Sequence, residues 1–178
     1  MATVIPSGES LGATIEGLDL SQPLSGSTFD LVVDALGRYG VVRFPAQRLT
    51  ARELRDFAAR FGDLEINVAN AYQEPGIPEV IILSNIVRDG KPIGLADAGQ
   101  DWHTDMSYSR TIAFANVLYG IEIPHRNGAP LGATEFSNMH AAYYGLPADL
   151  KRRNCMIYIC DAAQVSPAIV RMERWRDS

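Results

Sequence analysis

His103 and Asp105, in Asp101-Trp102-His103-Thr104-Asp105, set an imidazole and a carboxylate two residues apart. In an extended segment residues i and i+2 point to the same face, so both side chains would reach one common position. A second histidine from elsewhere would complete the 2-His-1-carboxylate set that holds non-haem Fe(II), with positions left open for a chelating co-substrate and O2. No thiolate stands at this spacing, which argues against a structural zinc site. The pair alone is a weak signal. With 3 histidines and 21 acidic residues in 178, a His-x-Asp or His-x-Glu arises by chance in roughly one such chain in three. The competing reading is a surface histidine beside a loop aspartate.

The elements that must position this pair are legible in outline. Residues 13–20 read as a short strand, and 28–37 as a helix with Ser27 as N-cap and Asp30 in its first turn. Val41-Val42-Arg43-Phe44 is a strand signal closed by Pro45. Thr50-Ala51-Arg52-Glu53 is a capping box, followed by Leu54, Phe57, Ala58 and Phe61 at helical spacing, with Gly62 as the stop. Val80-Ile81-Ile82-Leu83 reads as a strand buried on both faces. Residues 86–100 read as a long loop that delivers the chain to His103 and forms the rim of the site. Residues 112–123 give a β signal ended by Pro124. Ser137 or Asn138 can cap a helix through Tyr144, and Leu146-Pro147 opens another through about Arg153. This pattern supports a mixed α/β (α+β) domain.

Composition bounds the function classes. Apolar residues are 47% and charged residues 21% of the 178, an ordinary globular balance at single-domain length. A net charge of -5 without a basic run offers no field for nucleic acid. No apolar segment is long enough to span a bilayer, and the N-terminus lacks the charged and apolar regions of a signal peptide, so a cytoplasmic location is expected. Cys155 and Cys160 fit no zinc or redox spacing and read as idle thiols.

Wider context raises the metal reading. Around Trp102-His103-Thr104-Asp105-Met106-Ser107-Tyr108 the chain resembles the TauD/TfdA family of Fe(II)/2-oxoglutarate-dependent dioxygenases. The resemblance begins at Ala13-Thr14-Ile15-Glu16-Gly17-Leu18-Asp19-Leu20 and continues through Tyr39-Gly40-Val41-Val42-Arg43-Phe44-Pro45 and Phe57-Ala58-Ala59-Arg60-Phe61-Gly62-Asp63-Leu64. It resumes at Gly132-Ala133-Thr134-Glu135-Phe136-Ser137-Asn138-Met139 and Ala141-Ala142-Tyr143-Tyr144-Gly145-Leu146-Pro147. These blocks keep the family order from about residue 10 to residue 153.

The resemblance implies a double-stranded β-helix (jelly roll) with flanking helices, built on Fe(II), 2-oxoglutarate and O2. His103 and Asp105 match the family's first two iron ligands, and Thr134 matches a threonine whose hydroxyl contacts a 2-oxoglutarate carboxylate. Ala133 stands where the family usually has Asp, and Ala129-Pro130-Leu131 is an insertion before that motif. Asn67, Asn70 and Asn85 are the implied substrate-pocket residues. Taurine-specific members carry a histidine and a tyrosine where this chain has Asn67 and Asn70, which disfavours taurine. Trp102 is expected to pack beside the metal segment, His125 to sit in an exposed turn and His140 on a helix.

The family's distal histidine ligand and its 2-oxoglutarate-anchoring arginine have no counterpart here. The resemblance therefore implies a dioxygenase domain over 1–153, incomplete at its C-terminus, with 154–178 as a divergent tail and a homo-oligomer as one way to cover open sheet edges. The leading expectation is a dioxygenase hydroxylating a small, anionic organic substrate while converting 2-oxoglutarate to succinate. The alternative is a truncated, catalytically silent homologue. A zinc hydrolase ranks last, because it needs three protein ligands and a bound water.

Overall fold

The computed structural model describes residues 1–66, 70–96, 99, 101–105, 110–154 and 168–173. The main sheet joins β1 (Thr3–Pro6), β2 (Ala13–Glu16), β3 (Val41–Phe44), β8 (Ala115–Gly120) and β11 (Ala168–Glu173) in the order β1-β2-β3-β11-β8. Within this sheet β1 and β2 pair antiparallel. The pairs β2/β3, β3/β11 and β11/β8 are parallel, so this sheet is mixed. Strand β11 comes from the segment read as a divergent tail. Its backbone lies between β3 and β8, with Ile169 opposite both Val41 and Asn116.

Helix α1 (Gly26–Tyr39) starts two residues earlier than expected. Ser25, not Ser27, is the N-cap, because its Oγ accepts from the Thr28 backbone N–H at 3.2 Å. The earlier start also takes Asp30 out of the first turn, which holds no acidic residue. The helix buries Val32, Ala35 and Leu36 against Ile15 of β2 and Val42 and Phe44 of β3.

Helix α2 (Ala51–Ala58) opens with the expected capping box. The Glu53 backbone N–H donates to Thr50 Oγ1 at 3.2 Å, and Glu53 Oε2 accepts from the Thr50 backbone N–H. The helix tightens into a 3₁₀ turn over Ala59–Phe61 before Gly62. Phe57, Phe61 and Phe44 then form an edge-to-face aromatic series, with centroids 5.8 Å apart for Phe44–Phe57 and 5.4 Å for Phe57–Phe61.

Beneath this layer Gln47 is buried, and every polar atom of its amide is used. Its Oε1 accepts from the Leu20 N–H at 2.9 Å, and its Nε2 donates to the Leu18 and Pro45 carbonyls. A buried amide satisfied in this way ties the turn after β2 to the end of β3.

The remaining strands are short. β4 (Gln73–Glu74) pairs with β5 (Ile77–Ile81), β6 (Val87–Arg88) with β7 (Lys91–Pro92), and β9 (His125–Arg126) with β10 (Ala129–Pro130). The run Val80–Leu83 is not buried on both faces: Val80, Ile81 and Ile82 are half-buried and Leu83 is exposed. The region read as an unstructured loop over 86–100 contains the β6/β7 hairpin. Its two-residue turn is Asp89-Gly90, both at positive φ (50° and 74°), the turn that twists with its strands. Asn127-Gly128 does the same between β9 and β10, so the insertion at Ala129-Pro130-Leu131 supplies a return strand. Helices α3 (Met139–Gly145, N-cap Asn138) and α4 (Ala148–Asn154) follow where expected.

Candidate metal centre

β8 is the platform of the site. Ala115, Val117 and Tyr119 pack against the core, so by the period-2 rule Asn116 and Leu118 lie on the other face. Both ends of the strand are tied down. Phe114, just before it, stacks on Phe61 with centroids 6.4 Å apart. The Tyr119 hydroxyl accepts from the Leu49 N–H at 3.0 Å and donates to the Gln47 carbonyl at 3.3 Å.

The segment carrying the predicted ligands is not a strand: residues 102–104 are irregular and Asp105 lies in a turn. The two side chains nevertheless face each other, with His103 Nε2 3.3 Å from Asp105 Oδ1. Each group is held from behind. His103 Nδ1–H donates to the Asp101 carbonyl at 2.6 Å, which leaves Nε2 as the lone-pair nitrogen of the neutral ring. Asp105 Oδ2 accepts from Asn116 Nδ2 at 2.8 Å, which leaves Oδ1 facing Nε2. Gly99, at φ 72°, lies so close that a Cβ there would stand 3.3 Å from His103 Cε1. The chain thus needs glycine at 99 both for its backbone and for room beside the ring.

Two electron-pair donors turned toward each other can share a proton or a metal cation. Neighbouring donors about 2.1 Å from an ion stand about 3.0 Å apart in an octahedron and about 3.4 Å apart in a tetrahedron. The observed 3.3 Å lies between, so the pair fits a divalent cation without choosing its geometry. Without a cation, the imidazole holds its proton more tightly than usual. The Asp101 carbonyl is the main cause, opposed by partial desolvation and aided by the Asp105 charge. Both side chains are about half exposed, at 53% and 49%. Among the described residues no third His, Cys, Asp or Glu joins them.

The other expected residues are not drawn to the pair. Thr134 is exposed in the segment between β10 and α3, and no hydrogen bond links it to His103 or Asp105. Asn85 is exposed after β5. Asn70 begins a 3₁₀ turn over Asn70–Tyr72, and Asn67 lies outside the described residues. Trp102 is 69% exposed, contrary to the expectation that it packs; its described chain neighbours Asp101, His103 and Thr104 are polar and exposed themselves. His125 sits in the β9/β10 hairpin with its Nδ1 2.8 Å from the Ile123 carbonyl, and His140 is exposed on α3. A cavity of about 310 Å³ lined by Glu9, Ser10, Leu11, Gly12, Val41 and Phe136 shares no residue with the pair. Asn116 is the residue that sequence reasoning missed. Its signal is a lone amide inside the apolar run Ala113-Phe114-Ala115-Asn116-Val117-Leu118-Tyr119.

Similarity to known proteins supplies the wider frame. The chain is 32% identical over 154 residues to pentalenolactone F synthase of Streptomyces avermitilis, covering 85% of this chain and 49% of that protein. It is 30% identical over 150 residues to the alpha-ketoglutarate-dependent 2,4-dichlorophenoxyacetate dioxygenase of Cupriavidus pinatubonensis, covering 78% and 50% respectively. A crystal structure from Burkholderia xenovorans, assigned as an alpha-ketoglutarate-dependent taurine dioxygenase, superposes with a TM-score of 0.65 at 28% identity, over 86% of this chain and 50% of that one. The chain thus spans about half the length of the relatives it matches. The family model for the taurine catabolism dioxygenase TauD, TfdA family matches residues 3–155, and the chain belongs to that family.

Proposed function

We propose that this protein is an Fe(II)/2-oxoglutarate-dependent dioxygenase that hydroxylates a small, anionic organic substrate and releases succinate. The observation that carries this reading is the 3.3 Å approach of His103 Nε2 to Asp105 Oδ1, in a chain of the TauD/TfdA family. Iron, when bound, would activate O2 with two electrons from the oxidative decarboxylation of 2-oxoglutarate, so that one oxygen atom ends in succinate, the other in the hydroxylated substrate, and CO2 leaves. His103 Nε2 and Asp105 Oδ1 would hold the metal. The Thr134 hydroxyl would donate to a 2-oxoglutarate carboxylate. Asn67, Asn70 and Asn85 would present amide donors to the substrate's anionic group. That class of substrate is supported by one relative's name, since 2,4-dichlorophenoxyacetate is a carboxylate.

The same reading takes residues 1–153 as a dioxygenase domain of double-stranded β-helix type, with 154–178 as its tail, in a cytoplasmic protein that can self-associate. Among the described residues no helix is long and apolar enough to cross a membrane. The second reading is a catalytically silent homologue, and the observation in its favour is that among the described residues no third His, Cys, Asp or Glu joins His103 and Asp105.

Succinate formation from 2-oxoglutarate with added Fe(II) under air tests both readings, with taurine and an aryloxyacetate as trial substrates. The dioxygenase reading expects Fe(II)-dependent succinate that D105A abolishes and that taurine does not stimulate. Activity that survives D105A overturns it. No succinate from a chain that still binds Mn(II) at His103 favours the silent homologue.

A further inference from the structure

We propose that Asn116 is a positioning residue for the metal ligand Asp105, an inference that rests on the metal reading above. A carboxylate is free to turn about its last bond, and its two oxygens are equivalent until something distinguishes them. Asp105 sits in a turn, so regular backbone pairing does not orient it. The 2.8 Å bond from Asn116 Nδ2 captures Oδ2 and turns Oδ1 toward His103 Nε2.

Asn116 can do this because its own position is set independently of the site. Its neighbours Ala115 and Val117 pack into the core, and its backbone lies opposite Ile169 of β11 in the main sheet. The amide donates at every physiological pH and adds no charge, so it orients the carboxylate without competing for a cation. The Asp101 carbonyl plays the matching part for the imidazole. Such outer contacts typically change metal affinity by about 10–100-fold.

The test is Mn(II) broadening of the ¹⁵N-edited NMR spectrum of the full chain, which reads weak sites. In the wild-type chain, broadening should centre on His103 and Asp105. N116L keeps the branched shape and the number of side-chain heavy atoms but removes the donor. It should need about tenfold or more Mn(II) for the same broadening, with amide signals elsewhere unchanged. D105A should weaken binding at least as much, and D105A/N116L should lose nothing beyond D105A, because the amide acts through that carboxylate. An N116L chain that binds as wild type, or losses that add in the double variant, would overturn the proposal. Lack of localised broadening in the wild-type chain would instead overturn the metal reading. The metal-free spectrum then judges the bond alone: an Asn116 side-chain amide signal that does not move on D105A overturns it.

Discussion

The layer of β2, α1, β3 and α2 and the segment from Gly99 to Leu131 are held by different forces. The first contains every buried hydrophobic side chain among the described residues, from Ala13 to Phe57, together with the satisfied amide of Gln47. Among its described residues the second contains no buried one, and its His103–Asp105 pair is about half exposed. Apolar burial therefore supplies stability in one region, while a few hydrogen bonds supply orientation in the other. Precision at the pair is borrowed. Phe114 on Phe61 and Tyr119 on Leu49 fasten β8 to the core, and Asn116 carries that fixity out to Asp105.

Three substitutions would break or sharpen this contrast. Phe44 is fully buried against Phe57, so F44A should cost about 3–5 kcal/mol in urea unfolding. A loss under 1 kcal/mol would mean that the core is not the stabilising region. V170P attacks the link between the two regions by removing a backbone donor from β11, between β3 and β8. It should cost about 1–3 kcal/mol and raise hydrogen exchange at Val42 and Val117. Unchanged exchange would show that β11 does not bridge them. The smallest stability effect is expected from H103A. Its side chain is exposed and packs in no core, so unfolding should shift by no more than about 0.5 kcal/mol while Mn(II) broadening disappears. A large loss of stability in H103A would erase the distinction between the regions.

The parts that were legible are those whose hydrogen bonds close within a few residues. The Thr50–Glu53 capping box and the Asn138 cap follow from residue types three positions apart. Ser25 and Ser27 show the limit of this logic. Either can cap a helix, and the choice fell to Ser25, whose Oγ also lies 2.8 Å from Thr28 Oγ1. Asp89-Gly90 was a readable hairpin signal hidden in a segment that looked like loop. The burial of Val80–Leu83 was not readable, because an apolar run states what it would bury against and not whether a partner surface is there.

For the His103–Asp105 pair the division is equally physical. Residue types and spacing determined which atoms can bind a cation, since an imidazole and a carboxylate are donors in any fold, and the ordered blocks from Ala13 to Pro147 determined the family. Only the tertiary structure decided that the two donors face each other from an irregular segment and that Asn116, 11 residues on, holds Asp105. It also decided that residues 168–173 pair between β3 and β8. Backbone groups pair with any strand of suitable register, so such contacts depend on which surfaces the whole chain brings together, and local sequence carries no record of that choice.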